Sequence, residues 1–135
     1  MSIVHSIPEL EAWLDEHASS WSIMDDRAYV AFTREWQQRF LPRVEARQHA
    51  QKGDLAISTL VDCLPTDAVL IAGLRVPTVA NMGGNVASGY HVTGLRSIHR
   101  ELFNRAELIV TAECRSWTCV FNHEAYAGFP EYLYE

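Results

Sequence analysis

No stretch of this sequence is long and apolar enough to suggest a membrane span. The longest apolar run, Ala68 to Leu74, contains a glycine and falls far short of the roughly 20 residues a helix needs to cross a bilayer. The opening residues, Met1-Ser2-Ile3-Val4-His5-Ser6, lack the basic region and apolar run of a secretory signal. Cysteine is scarce: Cys63, Cys114 and Cys119 are odd in number and fit no disulfide framework. They are expected to be reduced, mostly buried thiols in a reducing compartment, so the chain reads as cytoplasmic. Repeats, low-complexity tracts and linkers are missing as well. Basic residues are in deficit, with 11 Lys and Arg against 17 Asp and Glu, a formal net charge of −6. That balance argues against a nucleic acid as the main partner, because binding to phosphate backbones draws on a surplus of cations.

What is present is ordinary globular composition, 48% hydrophobic and 21% charged, which argues against disorder. At 135 residues the chain has the commonest domain size, so residues 1–135 are read as one domain with one core. Ser6-Ile7-Pro8-Glu9 starts a helix, with a hydroxyl N-cap, proline in the first turn and an early glutamate; Leu10, Trp13, Leu14 and His17 follow at helical spacing. Ser19 to Asp25 reads as a loop. Asp25 or Asp26 caps a second helix whose apolar positions Tyr29, Phe32, Trp36, Phe40 and Val44 repeat with a period near 3.6. Pro42 predicts a kink or break just before it, and Gly53 closes the segment. Residues 54–63 are ambiguous and lean to a short helix ended by Pro65.

From Ala68 the texture changes. Ala68 to Arg75 reads as a buried strand, Val86 to Thr93 as a second, and Leu95 to Arg105 as a helix. Glu107 to Glu113 and Trp117 to Asn122 read as two strands joined by a hairpin turn at Cys114-Arg115-Ser116. The tail from Tyr126 to Glu135 is aromatic and acidic without clear periodicity. Helices first, then a small and mostly antiparallel sheet with one further helix packed on it, is the α+β pattern.

Sites for small-molecule chemistry are poorly specified. The stretch Asn81-Met82-Gly83-Gly84-Asn85 through Gly89 lacks the lysine and the spacing of a phosphate cradle and is better explained as a loop between strands. Cys114, Cys119 and His123 have the spacing C-x4-C-x3-H, and a zinc site would need a distant fourth ligand such as Cys63 or His91; small core cysteines are the simpler reading. His91, His99 and His123 could pair with Glu101, Glu124 or Cys119, and His123-Glu124 near the Gly83-Gly84 loop is the nearest approach to an acid–base site. The expectation is no catalytic residue, no metal and no cofactor.

Surface charge is more informative. Residues 1–26 carry Glu9, Glu11, Asp15, Glu16, Asp25 and Asp26 without a single Lys or Arg. Residues 27–52 carry Arg27, Arg34, Arg39, Arg43, Arg47 and Lys52 against Glu35 and Glu45. Pairing between the two helices, with the remaining charge solvated, is the plain explanation. The sharper one leaves the acidic first helix free to meet a basic partner. In the tail, Tyr126, Phe129, Tyr132 and Tyr134 alternate with Glu124, Glu131 and Glu135, either folding back on the core or forming an interface, where tyrosine is enriched.

The apolar strand Leu108-Ile109-Val110, leading through a turn into Trp117-Thr118-Cys119-Val120-Phe121-Asn122-His123-Glu124, resembles the end of many small bacterial immunity-type proteins. The resemblance implies a binding protein without enzymatic activity that covers the active site of a cognate protein toxin. Toxins of this kind that attack nucleic acid are often basic, which an acidic inhibitor would match. The residues expected to meet such a partner are Glu9, Asp15, Glu16, Asp25, Asp26, Tyr126, Glu131, Tyr132 and Tyr134. A small enzyme built on His123 and Glu124, or a module that self-associates through its aromatic tail, are the alternatives.

Overall fold

The computed structural model describes residues 3–72, 87–98, 108–121 and 131–135. In chain order these form α1 (Pro8–His17), β1 (Ser20–Ile23), α2 (Asp26–Glu45), β2 (Gln51–Lys52), α3 (Asp54–Asp62), β3 (Thr66–Ala72), β4 (Ser88–Leu95), β5 (Leu108–Ala112), β6 (Thr118–Phe121) and β7 (Tyr132–Tyr134). The strands make one sheet in the order β1-β4-β3-β5-β6-β7-β2, every neighbouring pair antiparallel. The fold is α+β.

β3 lies inside the sheet, between β4 and β5, and its apolar run serves two faces at once. Side chains alternate along a strand, so Ala68, Leu70 and Ala72 join a core with Leu10 and Leu14 of α1 and Ala56 and Leu60 of α3. Val69 and Ile71 point the other way, into a core with Tyr29, Phe32, Trp36, Phe40 and Val44 of α2. The sheet is therefore sandwiched, with α1 and α3 on one face and α2 on the other. A continuous hydrophobic strand is what burial on both faces demands.

α2 is the best specified element. Asp25 accepts the amide of Ala28 at 2.7 Å as its N-cap, and the stripe from Tyr29 to Val44 is buried. Pro42 does not break it: the helix runs on to Glu45. Phe40 and Val44, both fully buried, hold the register on either side. Gln38, whose carbonyl loses its amide partner to the proline, is an exposed residue, where such a loss costs less than in the core. Where α2 crosses the sheet, the indole Nε1 of Trp36 donates to Thr118 Oγ1 at 2.9 Å. Thr111 Oγ1 lies 2.8 Å from the same hydroxyl, and both threonines are fully buried. This satisfies polar groups that would otherwise be stranded under the helix.

Other local readings need correction. Ser6 does not cap α1; its hydroxyl donates to Glu11 Oε2 at 2.6 Å. The N-cap is Ile7, whose amide donates to the Tyr90 hydroxyl at 2.9 Å. Tertiary anchoring of Ile7 has replaced the local hydroxyl cap. The segment read as a loop contains β1, which pairs with β4 from Ser20↔Thr93 to Ile23↔Tyr90. β4 runs through Leu95, which is fully buried, so no helix begins there. The rest of that expected helix, from His99 onward, lies outside the described residues, as do the Gly83-Gly84 loop, Glu101, His123-Glu124 and Tyr126. The short helix ended by Pro65 is α3, and the turn at Cys114-Arg115-Ser116 is present, with Arg115 at φ 62°.

Candidate partner-binding face

The two helical layers differ in charge: the ionised groups of α1 and α3 are carboxylates, whereas α2 carries four Arg against Asp26, Glu35 and Glu45. α1 and α3 together carry Glu9, Glu11, Asp15, Glu16, Asp54 and Asp62, and neither helix contains Lys or Arg. α2 presents Arg27, Arg34, Arg39 and Arg43, all exposed. The sheet lies between them, and among the described residues no ion pair joins α1 to α2. Arg115, in the β5–β6 turn, bonds Glu35 of α2 at 3.1 Å and lies 4.9 Å from the Phe32 ring centre.

On the acidic side, α1, β1 and β4 assemble a cluster of aromatic rings and carboxylates. The Tyr90 hydroxyl donates to Glu11 Oε2 at 2.7 Å while accepting from Ile7. Burial foremost pushes this phenol above its ordinary range; the hydrogen bond from the Ile7 amide pulls the other way, and the Glu11 carboxylate adds to the rise. Trp21 of β1 meets Tyr90 edge to face, with ring centres 5.6 Å apart, and its Nε1 donates to Asp15 Oδ1 at 2.8 Å. Trp13 stacks on His17 at 4.7 Å, and His17 Nδ1 is 2.8 Å from Ser97 Oγ. Trp13 and Trp21 are half-buried and pack against the core on the side of the sheet where α1 carries the exposed Glu9, Asp15 and Glu16. The Glu16 side chain is 79% exposed, with His17 Nε2 at 3.9 Å.

The residues expected to meet a partner separate into three groups. Glu9, Asp15 and Glu16 are together on the exposed side of α1. Asp25 and Asp26 sit beside β1 but are engaged: Asp25 caps α2, and the Asp26 carboxylate accepts the amides of Ile3 at 3.0 Å and Val4 at 2.8 Å. The tail is part of the sheet. β7 pairs with both β6 and β2, Tyr132 is half-buried, and Glu131 and Tyr134 are each only 2% exposed. Glu131 and Tyr134 are thus core residues, not groups presented at the surface. Hydrophobic pairing of Leu133 and Tyr134 with the two cores decides this, and three residues are too few to show the strand period.

Trp13 and His17 were read from sequence only as positions at helical spacing, and Trp21 and Tyr90 were not singled out. The spacing of Trp13 and His17, and of Glu11 and Asp15, at i and i+4 was a signal for a shared face on α1; nothing local links either pair to Trp21 or Tyr90.

The other chemistry is sparse. Cys114 is exposed, and its thiol is held below the usual range mainly by the Ser116 hydroxyl, 3.1 Å away. Cys119 is buried, which pushes its thiol strongly upward, with the Glu131 carboxylate adding to the effect. Among the described residues no three His, Cys, Asp or Glu converge on a point that would hold a metal ion. His91 Nδ1 lies 3.9 Å from Glu113 Oε2, both half in solvent on the open sheet surface. A shallow groove of about 430 Å³ runs along α2, lined by Asp26, Arg27, Val30, Ala31 and Arg34. Among the described residues no helix is long and apolar enough to cross a membrane. Comparison with protein-family models, with curated proteins and with solved structures finds no match to this chain.

Proposed function

We propose that this chain is a cytoplasmic binding protein of the immunity type, which neutralises a basic cognate protein toxin by covering it with its α1 side. The observation that carries this reading is the placement of six carboxylates and no Lys or Arg on α1 and α3, bordered by the half-buried rings of Trp13 and Trp21. Carboxylates around a ring that is already held in place suit protein recognition: the field draws the partner in, and a rigid aromatic gives contact area at little entropic cost. Toxins that cleave nucleic acid expose cations to bind phosphates, and a concentrated acidic layer competes for the same cleft.

The reading is tested by mixing the purified chain with the purified product of the neighbouring reading frame and following association by stopped-flow at several salt concentrations. Reversing Glu9 and Glu16 together (Glu9→Lys with Glu16→Lys) should slow association about tenfold at low salt and flatten its salt dependence. Association that is unaltered by the double reversal, or the absence of any complex together with no protection of cells making that product, would remove the proposal.

A further inference from the structure

The sheet has two edges, and they are finished differently. β2, at one end, is two residues long, carries Lys52 and stops at Gly53 with φ 62°. Shortness, lysine and an abrupt end are the devices that keep a sheet edge from pairing with another chain. β1, at the other end, has none of them. Its sequence is Ser20-Trp21-Ser22-Ile23, without lysine, proline or bulge, and Ser20, Ser22 and Ile23 are exposed, Ile23 to 41%.

The backbone of β1 alternates between its two sides. Met24 donates its amide to Gly89 at 2.8 Å, and the register places Ser22 opposite His91 and Ser20 opposite Thr93. In an antiparallel ladder every second residue bonds to the neighbour, so Ser20, Ser22 and Met24 face β4. Trp21 and Ile23 then aim their amides and carbonyls outward, and among the described residues no strand takes up that side.

We propose that β1 is a docking edge, and that its occupant is an extended basic segment of the partner protein, added to the sheet as an eighth strand. This rests on the function proposed above and supplies its mode of binding. The charges around the edge select the occupant. Asp15 is bonded to Trp21, Glu16 follows on the same helix, and Asp25 and Asp26 come directly after β1. Among the described residues, the cations that accompany them are Arg27, the next residue along α2, and Arg96, whose Nη2 is bound to the Glu16 carbonyl at 2.7 Å. A second copy of this chain would bring the same carboxylates against these, and like charges side by side oppose pairing. An incoming strand with Lys or Arg at alternate positions sets those cations on the α1 side, beside Asp15 and Glu16. The intervening residues fall on the side of Ser20, Ser22, His91 and Thr93, all exposed, where small polar side chains suffice. This is strand addition, with affinity from the main chain and selection from every second side chain.

The test uses a capped synthetic peptide, Thr-Lys-Thr-Val-Thr-Lys-Thr, and its counterpart with Glu in place of Lys, titrated into the whole chain labelled with nitrogen-15. The basic peptide should shift the Trp21 and Ile23 amides and slow their hydrogen exchange, with the Ser22 amide changing less; the acidic peptide should do neither. Ile23→Pro deletes one outward donor while leaving the bonds to β4 and should weaken binding at least about tenfold. Ile23→Lys, at a half-exposed position, opposes the basic peptide by charge and serves if the proline variant fails to fold. Unchanged exchange at Trp21 and Ile23 under saturating basic peptide overturns the inference, as does protection of those amides by protein concentration alone, which would assign the edge to self-pairing. The two proposals fail separately. If the toxin partner binds and responds to Glu9 and Glu16 but leaves these amides exchanging freely, the docking edge is wrong and the acidic face stands. Protection of these amides by the partner with no response to Glu9 and Glu16 supports the edge and removes the acidic face.

Discussion

Replacing Thr118 by valine keeps the shape of the side chain and deletes one hydroxyl, which makes it a clean probe of how α2 is locked to the sheet. The hydroxyl accepts from the Trp36 indole at 2.9 Å and contacts Thr111 Oγ1 at 2.8 Å, with the Val110 carbonyl at 3.4 Å. Trp36 is 2% exposed and Thr111 fully buried, so no solvent reaches the groups left behind. An orphaned buried donor costs about 1–3 kcal/mol and a lost neutral hydrogen bond about 1 kcal/mol, so Thr118→Val should cost about 2–4 kcal/mol. Thr118→Ser is the control, since it keeps the hydroxyl and loses a methyl, worth about 1 kcal/mol. In urea, with a slope of about 1–3 kcal/mol per molar for a small domain, the valine variant should unfold about 1–2 M earlier and the serine variant by half that or less. The slope itself should not change. If serine proves as damaging as valine, or more so, then packing holds this junction and the hydroxyl chain is incidental.

Two further outcomes depend on titrating groups. The Cys114 thiol, lowered chiefly by Ser116, holds more thiolate at a given pH, so Ser116→Ala should slow its alkylation at neutral pH; Cys119 should react only as fast as the chain unfolds, as mass-spectrometric counting of modified thiols will show. The phenols of Tyr29 and Tyr90 are raised by burial. A raised folded-state value means stability that is fully present below the unfolded value near pH 10 and declines as pH climbs through the folded value. Stability measured in urea should therefore fall above about pH 10, and less steeply in Tyr29→Phe, which has no proton to lose.

How far the fold could be read from the chain depended on how much each element relied on itself. α2 was legible because Tyr29, Phe32, Trp36, Phe40 and Val44 form one stripe and Asp25 caps it. β3, β5 and β6 were legible because strands buried on both faces are nearly all apolar. β1 was missed: four residues hold one inward side chain, Trp21, and its strand state comes from pairing with β4 seventy residues later. A kink or break at Pro42 was expected from local chemistry; the helix is not broken there, and Phe40 and Val44 are buried on either side. The tail misled in a similar way. Alternating tyrosine and glutamate suggested a surface, yet β7 is held on both sides by β6 and β2, a placement no local pattern records. Of the candidate face, the carboxylates of α1 were visible as composition, and their separation from the arginines of α2 was not, since only the sheet between them decides it.

Among the described residues, that separation sets helices with carboxylates and no Lys or Arg on one flank and the four guanidinium groups of α2 on the opposite one. In the field of a charged neighbour such a body feels a torque as well as a pull, so it is rotated towards one approach before any atoms touch. Dissolved ions limit the range of this effect to about 10 Å at 0.1 M salt; within that distance, a cationic surface would be met first by the α1 flank and an anionic one by the α2 flank.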